Sequence, residues 1–236
     1  MTADPQHLEG PAGPVLVIDT ASNRGLVGLV EGDALLAEHA WTVGSTYSLE
    51  LLAETTALLA AAGVALEALT GIVVNVGPGG YGSLRVGVAT AQGLALGLEV
   101  PLAGVGRLEA DAARHIEGGT PVVAVHSAGA AGLAWAAYEG ARGPREISAP
   151  RLSSIDECVA AAPAGALWCG DVTQELRDAL DASGAAAGRW TEAAPEQNMR
   201  RALDLARLAR EHRAYRDPAD VDVLYLRPPS ITRARD

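Results

Sequence analysis

The sequence predicts an α/β fold in which helices cover both faces of a parallel or mixed sheet. Three adjoining features carry that expectation. Ile72, Val73 and Val74 form a β-branched run without charge, the pattern of a strand buried on both faces. The loop Gly77-Pro78-Gly79-Gly80 breaks it. A helical run follows over 84–98, with Gly or Ala at 87, 89, 91, 93, 95 and 97.

The chain has 236 residues, 49% of them hydrophobic, enough to bury a substantial core as one large or two small domains. Phe is absent, so aliphatic and small side chains must build that core. Lysine is absent too, which excludes a Walker-type phosphate loop. Net charge is −11 and uneven: residues 1–198 carry 9 arginines against 23 acids, residues 199–236 carry 9 against 6. An acidic body is a poor stand-alone RNA binder. The basic C-terminal run reads as a solvated helix face, with contact to RNA or an acidic partner as the alternative. Cys158 and Cys169 are too few for a disulfide framework or zinc site. The first residues lack a signal-peptide pattern and no apolar run reaches membrane-spanning length, so a cytoplasmic location is expected.

Along the chain, Val15–Asp19 reads as a first strand, with 25–30 and 34–41 as a hairpin around Glu31-Gly32-Asp33. Residues 45–62 read as a helix closed by Gly63, with Leu51, Leu52, Thr55, Leu58 and Leu59 on one apolar stripe. A short helical turn over 66–69 leads to the strand at Gly71. Ser83 is the expected cap of the next helix. On that helix Ala89, Gly93 and Gly97 recur every four residues, which permits close approach of another helix, within the chain or between subunits. Arg85 lies in its first turn, where the helix dipole disfavours a cation, so a carboxylate or phosphate partner is expected. A strand over 101–105 and a helix over 106–116 follow. Residues 122–125 and 133–138 read as a second hairpin, 153–161 as a helix capped by Ser153 or Ser154, and 166–169 as a strand. Asp171 is expected to cap a helix over 174–180, with nucleotide contact as the alternative. Residues 198–212 read as the last long helix, with Arg200, Arg201, Arg207 and Arg210 mostly off its apolar face. The tail 221–227 reads as extended. No internal repeat is visible.

The stretch GPGGYGSLRVGVATAQGLA resembles the GPGSFTGLRIGVATAKGLA signature of the TsaB (YeaZ) family, which acts in bacterial tRNA threonylcarbamoyladenosine biosynthesis. VLVIDTAS at Val15–Ser22, LWCGDV at Leu167–Val172 and LYLR at Leu224–Arg227 resemble further segments of that family, in the family's order. The resemblance implies an α/β fold of two ribonuclease H-like lobes of the actin/sugar-kinase/Hsp70 ATPase superfamily, the second lobe reduced. It implies a disordered extension over 1–13, a first lobe from 14–105 plus 195–230, a second from 106–194 and a tail over 231–236. The implied role is a non-catalytic scaffold partner of TsaD. Its helical interface would use Leu51, Leu52, Thr55, Leu58, Leu59, Arg85, Ala89, Gly93 and Gly97. A TsaE-like ATPase would join the complex, tRNA would be met only through it, and the isolated chain would form a homodimer. No cofactor would be required, with weak ATP or ADP binding at Asp19, Thr20, Gly77, Gly79, Gly80 and Asp171 as an alternative.

Three departures from the family pattern matter. TsaD-like proteins carry H-x-x-x-H, two metal ligands one helical turn apart, where Arg107 and Asp111 stand here. Arginine cannot deprotonate to bind a metal, so no metal site and no metalloprotease is expected. The family's HSE-like helix start is Tyr47-Ser48-Leu49, and its DAR-like turn is His126-Ser127-Ala128, with His126 read as structural. The competing function is an independent ATP-binding kinase or ATPase, with Asp19, the 77–80 glycines and Asp171 lining its cleft. In that reading Asp19 organises magnesium and phosphates. In the other it is a turn carboxylate bonding its own backbone.

Overall fold

A computed structural model describes residues 10–42, 47–116, 119–141, 143–183, 190–194 and 198–226. The expected extension and tail fall largely outside them, as do Arg227 and the side chains of Tyr47, Ser48 and Leu49.

Two sheets organise the chain. In the first, β1 (Val15–Asp19) pairs antiparallel with β2 (Arg24–Glu31), and β2 with β3 (Ala34–Thr42). β4 (Gly71–Gly77) lies parallel to β1, and β5 (Leu102–Gly106) parallel to β4. The second sheet repeats this plan. β6 (Val122–Ser127) pairs antiparallel with β7 (Leu133–Glu139), β7 with β8 (Arg145–Ser153), and β9 (Leu167–Gly170) is parallel to β6. The orders 5-4-1-2-3 and 10-9-6-7-8 correspond, β10 (Thr191–Glu192) and β11 (Tyr215–Arg216) being short edge strands. Each sheet is thus a ribonuclease H-like lobe, and in the second the parallel strands β9 and β10 are shorter than their counterparts β4 and β5. The duplication is one of topology; the sequence keeps no trace of it.

The β-branched run expected to be buried on both faces is so: Ile72, Val73 and Val74 are fully covered. On one face of the first sheet lie α1 (Tyr47–Ala62) and α2 (Tyr81–Leu98), closing a core around Leu16, Ile18, Ile72, Leu51 and Ala91. On the other lies α6 (Ala202–Glu211), whose Leu205, Ala206 and Ala209 meet Val17 and Val73. Gly28 on β2 makes that seat possible, since a Cβ there would stand 2.2 Å from the Ala202 Cβ. α4 (Ile155–Ala161) and α5 (Gln174–Ala182) cover one face of the second sheet through Cys158, Leu176 and Leu180. α3 (Arg107–Ala113) serves both lobes. Its Ala110 belongs to the first core, while Leu108 and Ala112 pack with Val122, Ala124 and Tyr138 of the second.

Several local expectations change. α2 starts at Tyr81 with Gly80 as its cap residue; Ser83 lies inside the first turn and donates its hydroxyl to the Gly80 carbonyl at 3.0 Å. α5 is capped by Thr173, whose hydroxyl accepts from the Leu176 N–H, so Asp171 is not the cap. The last helix begins at Ala202, and residues 198–201 run into it outside helical geometry. Its arginines do form a solvated face, with surface ion pairs: Arg201 to Glu38, and Arg207 and Arg210 to Asp33, which is 78% exposed. Ser154 does cap α4, in a reciprocal capping box with Glu157. Among the described residues no helix is long and apolar enough to cross a membrane.

Candidate functional site

The end of β1, the start of α3 and the turn after β9 converge between the lobes. Asp19, the last residue of β1, is almost wholly buried. One of its oxygens accepts from the Ala21 N–H at 2.9 Å, and the other from Arg200 Nε at 2.5 Å. Arg200 then donates through Nη1 to Asp111 at 2.9 Å and through Nη2 to the Ser22 hydroxyl at 3.1 Å. Arg107, one helical turn before Asp111 on α3, donates Nε to the second Asp111 oxygen at 3.4 Å. Its Nη1 donates to the Ala21 carbonyl and its Nη2 to Asp171, each at 3.0 Å. His126 at the end of β6 places Nδ1 2.6 Å from the other Asp171 oxygen and 2.8 Å from Arg107 Nη1. Protonated, Nδ1 donates to Asp171; unprotonated, it accepts from Arg107 Nη1.

Two guanidinium groups therefore lie among three carboxylates, and the network runs from the first lobe through α3 to the second. The Arg107 side chain is 3% exposed and Asp111 2%. Burial on this scale requires that each charge be paired and hydrogen-bonded. Burial alone would raise the Asp19 carboxyl; the charge and hydrogen bond of Arg200, the Ala21 N–H and the charge of Arg107 hold it below the ordinary value. Burial likewise opposes Asp171, but the hydrogen bond from His126 and the charges of Arg107 and His126 lower it to about 2. Burial would weaken the charge on Arg200, and Asp19 and Asp111 overcome it.

The fold family implies magnesium and a nucleotide at this place, and the residues present do not fit them. Both oxygens of Asp19 and of Asp171 are engaged within the chain. Gly79 packs onto the turn after β1 so closely that a Cβ would stand 2.3 Å from the Ala21 carbonyl. Gly87 does the same against the Thr20 hydroxyl, at 2.1 Å. These glycines serve close backbone packing, with Gly77 in the left-handed region at φ +101°. The remaining cleft, between Asp19, Arg24, Arg107 and Arg200, is about 160 Å³. Ligand pockets usually span roughly 300–1,000 Å³. Thr20 Oγ1 and Asn75 Nδ2 are sealed without partners, too deep to line that cleft. Among the described residues no group of three or more His, Cys, Asp or Glu side chains could hold a metal ion.

The residues expected at a partner interface divide into two sets. Leu51, Thr55, Leu58 and Leu59 are buried in the chain's own core, because the apolar stripe of α1 is already satisfied by the sheet. Leu52, Arg85, Ala89, Gly93 and Gly97 face outward. With Tyr81 they complete an exposed row along α2 at every fourth position, 81, 85, 89, 93 and 97. Leu96 on α2 and Leu52 on α1 are exposed too, at 59% and 49%. A Cβ on Gly93 or Gly97 would meet no atom within 4 Å. Arg85 has partners within the chain: its guanidinium lies 4.0 Å from the Tyr81 ring centroid, and its Nε donates to the Tyr225 hydroxyl at 2.9 Å.

Residues 43–165, just over half the chain, match the family model described as TsaD: tRNA N6-adenosine threonylcarbamoyltransferase. The tRNA threonylcarbamoyladenosine biosynthesis protein TsaB of Bacillus subtilis (strain 168) is 34% identical over 106 residues, 44% of this chain and 46% of that protein. The protein of the same name from Escherichia coli (strain K12) is 32% identical over 127 residues, 53% and 54% of the two chains. The chain belongs to the TsaB (YeaZ) family. It spans about half the length of the curated TsaB relatives it matches. The structure of YeaZ from Pseudomonas aeruginosa superposes with a TM-score of 0.73 at 22% identity, covering 91% of this chain and all of that one, a likeness of fold. In this TsaB-family chain Arg107 and Asp111, one helical turn apart on α3, form an ion pair.

Arg200 and Asn198 are the site residues that sequence reasoning missed. Arg200 looked like one of several helix-face arginines, yet it precedes the helix and turns inward. Asn198 brackets Gly170 with two hydrogen bonds of 2.7 and 2.6 Å, fixing the turn that carries Asp171. Only a network of opposite charges distant in sequence distinguishes them, and no local period encodes that.

Removing one member should be far worse than its exposure suggests. Arg200→Ala leaves Asp19 buried beside a single remaining cation, and should cost about 3–5 kcal/mol in urea unfolding; a cost under about 1 kcal/mol would show the pair to be idle. Acid should act through the same groups. Because Asp19 and Asp171 are held below the ordinary aspartate value of 3.8, their stabilisation is complete above it and fades as pH falls towards about 2. The stability gap between wild type and Asp171→Asn, followed by circular dichroism from neutral pH downward, should close near that value. A gap that stays constant would contradict the assignment.

Proposed function

We propose that this chain acts in tRNA threonylcarbamoyladenosine biosynthesis as a non-catalytic subunit that holds a TsaD-like catalytic subunit through the outer faces of α1 and α2. The observation that carries the proposal is the outward row of α2, where Ala89, Gly93 and Gly97 leave the backbone open beside the exposed Leu96. Such a row admits a facing helix at short range, and the dispersion attraction between the two grows with that closeness. The names of the Bacillus subtilis and Escherichia coli relatives supply the pathway.

The subunit works by differential affinity: it stabilises the partner's competent state only as far as it binds that state better. A TsaE-like ATPase joins the assembly, tRNA is met only through it, and the isolated chain pairs with itself through the same helices. The chain needs no cofactor and works in the cytoplasm. Non-catalytic status is supported by the Arg107–Asp111 pair, since arginine offers no lone pair to a metal. The engaged carboxylates and small cleft count against an independent ATPase.

Mixed with the TsaD-like protein of the same source, the chain should form a heterodimer at micromolar concentration, measured by light scattering. Ala89→Trp and Gly93→Trp should abolish it. Both positions are exposed, so both variants should fold normally, as checked by thermal unfolding. Absence of a wild-type complex, or full binding by both variants, would overturn the interface.

A further inference from the structure

A second hollow opens between the lobes, of about 520 Å³, within the usual range for small-molecule sites. It is lined by other residues of α3 than those of the ion-pair network, by β7 and β8, and by the end of α6. Its walls are apolar, from Pro78, Leu108, Pro144, Pro150 and Leu224.

Five polar side chains line it: Glu109, Tyr138, Arg145, Glu146 and His212. Tyr138 is 3% exposed, yet its hydroxyl has no hydrogen-bond partner among the described residues. That hydroxyl is not among the sealed unpartnered atoms, so it keeps access to the hollow. Burying a hydroxyl without a partner is costly, and native structures rarely do so without a use for it. Glu109 gives one carboxylate oxygen to His212, whose Nε2 lies 2.7 Å away. Glu146 has no ion-pair partner among the described residues, whereas Arg145 is taken by Glu139. Arg145 and His212 line the hollow too, Arg145 paired with Glu139 and His212 with Glu109, so among the described lining residues Glu146 is the unpaired charge. The Glu109 carboxyl registers it: burial raises its pKa, His212 draws it back, and Glu146 and Glu211 push it up again.

We propose that this hollow binds an alkylguanidinium or alkylammonium group. The charged head sits between Glu109 and Glu146 and donates one N–H to the Tyr138 hydroxyl. The stem lies along Pro78, Leu108 and Leu224. Charge-assisted bonds to carboxylates orient the head, and desolvation of the stem supplies the apolar part of the affinity. The same chemistry occurs in a free small cation and at the end of an arginine side chain on a partner.

Isothermal titration calorimetry of the full chain tests this with three probes: n-butylguanidinium, acetyl-arginine N-methylamide and the neutral n-butylurea. Both cations should bind saturably and n-butylurea should not. The tighter of the two cations identifies the source, free or peptide-borne. Glu146→Gln and Tyr138→Phe should each weaken binding about tenfold, the effect expected for one charge-assisted bond. Tyr138→Phe should unfold at the wild-type midpoint or above it, because the lost hydroxyl has no partner in the chain. Equal binding of n-butylurea, unchanged affinity in both variants, or no saturable binding of either cation would overturn the proposal.

Discussion

The structure depends on the pairing of Arg107 and Arg200 with Asp19, Asp111 and Asp171. These groups lie where two lobes meet, and each would be intolerable there alone. A buried ion pair is weak evidence of net stability, since apolar residues of similar size often replace one at no loss. Its consequence is specificity. Arg107 binds a carbonyl of the first lobe and a carboxylate of the second from one rigid fork, so a single side chain ties the two lobes. α3 carries that fork and is itself packed into both cores.

That constraint suits the proposed scaffold role. The acids that would organise a cation and phosphates hold arginines instead. The glycines that would approach phosphate approach backbone and a threonine hydroxyl. With the lobes tied from within, the surface proposed for a partner is the outer side of the helical layer, where α2 presents small residues and the exposed Leu96. The same tie leaves the acidic hollow on α3 open.

How far the sequence could be read follows from the range of the forces involved. Strands β1, β4 and β6 were legible because β-branched runs report burial on both faces, whatever the tertiary detail. The capping box at Ser154 and Glu157 is equally local. β8 was missed, since its RLS and REIS segments alternate weakly and form an exposed edge. Asp19 and Asp171 were legible as site residues, and Asp19 also as a carboxylate bonding its own turn, as it does at Ala21; their ion-pair roles were not, because Arg200 for Asp19 and Arg107 for Asp171 are distant in sequence. Helical periodicity misplaced Leu51, Leu58 and Leu59 for a related reason. It marks an apolar face but does not say whether sheet or partner will cover it.

The lobe angle itself is the most direct object of measurement. Spin labels at Leu36 and Ile147, both exposed and on different lobes, would report it by electron double resonance. Cys158 and Cys169 are buried, with thiols that burial raises to about 12 or beyond ordinary range, so labels introduced at surface cysteines should react selectively. The ion-pair tie predicts one narrow distance distribution that magnesium and ATP leave unchanged, and that broadens in Arg107→Met. A distance that shifts with nucleotide in the wild-type chain would contradict a cleft closed by its own side chains.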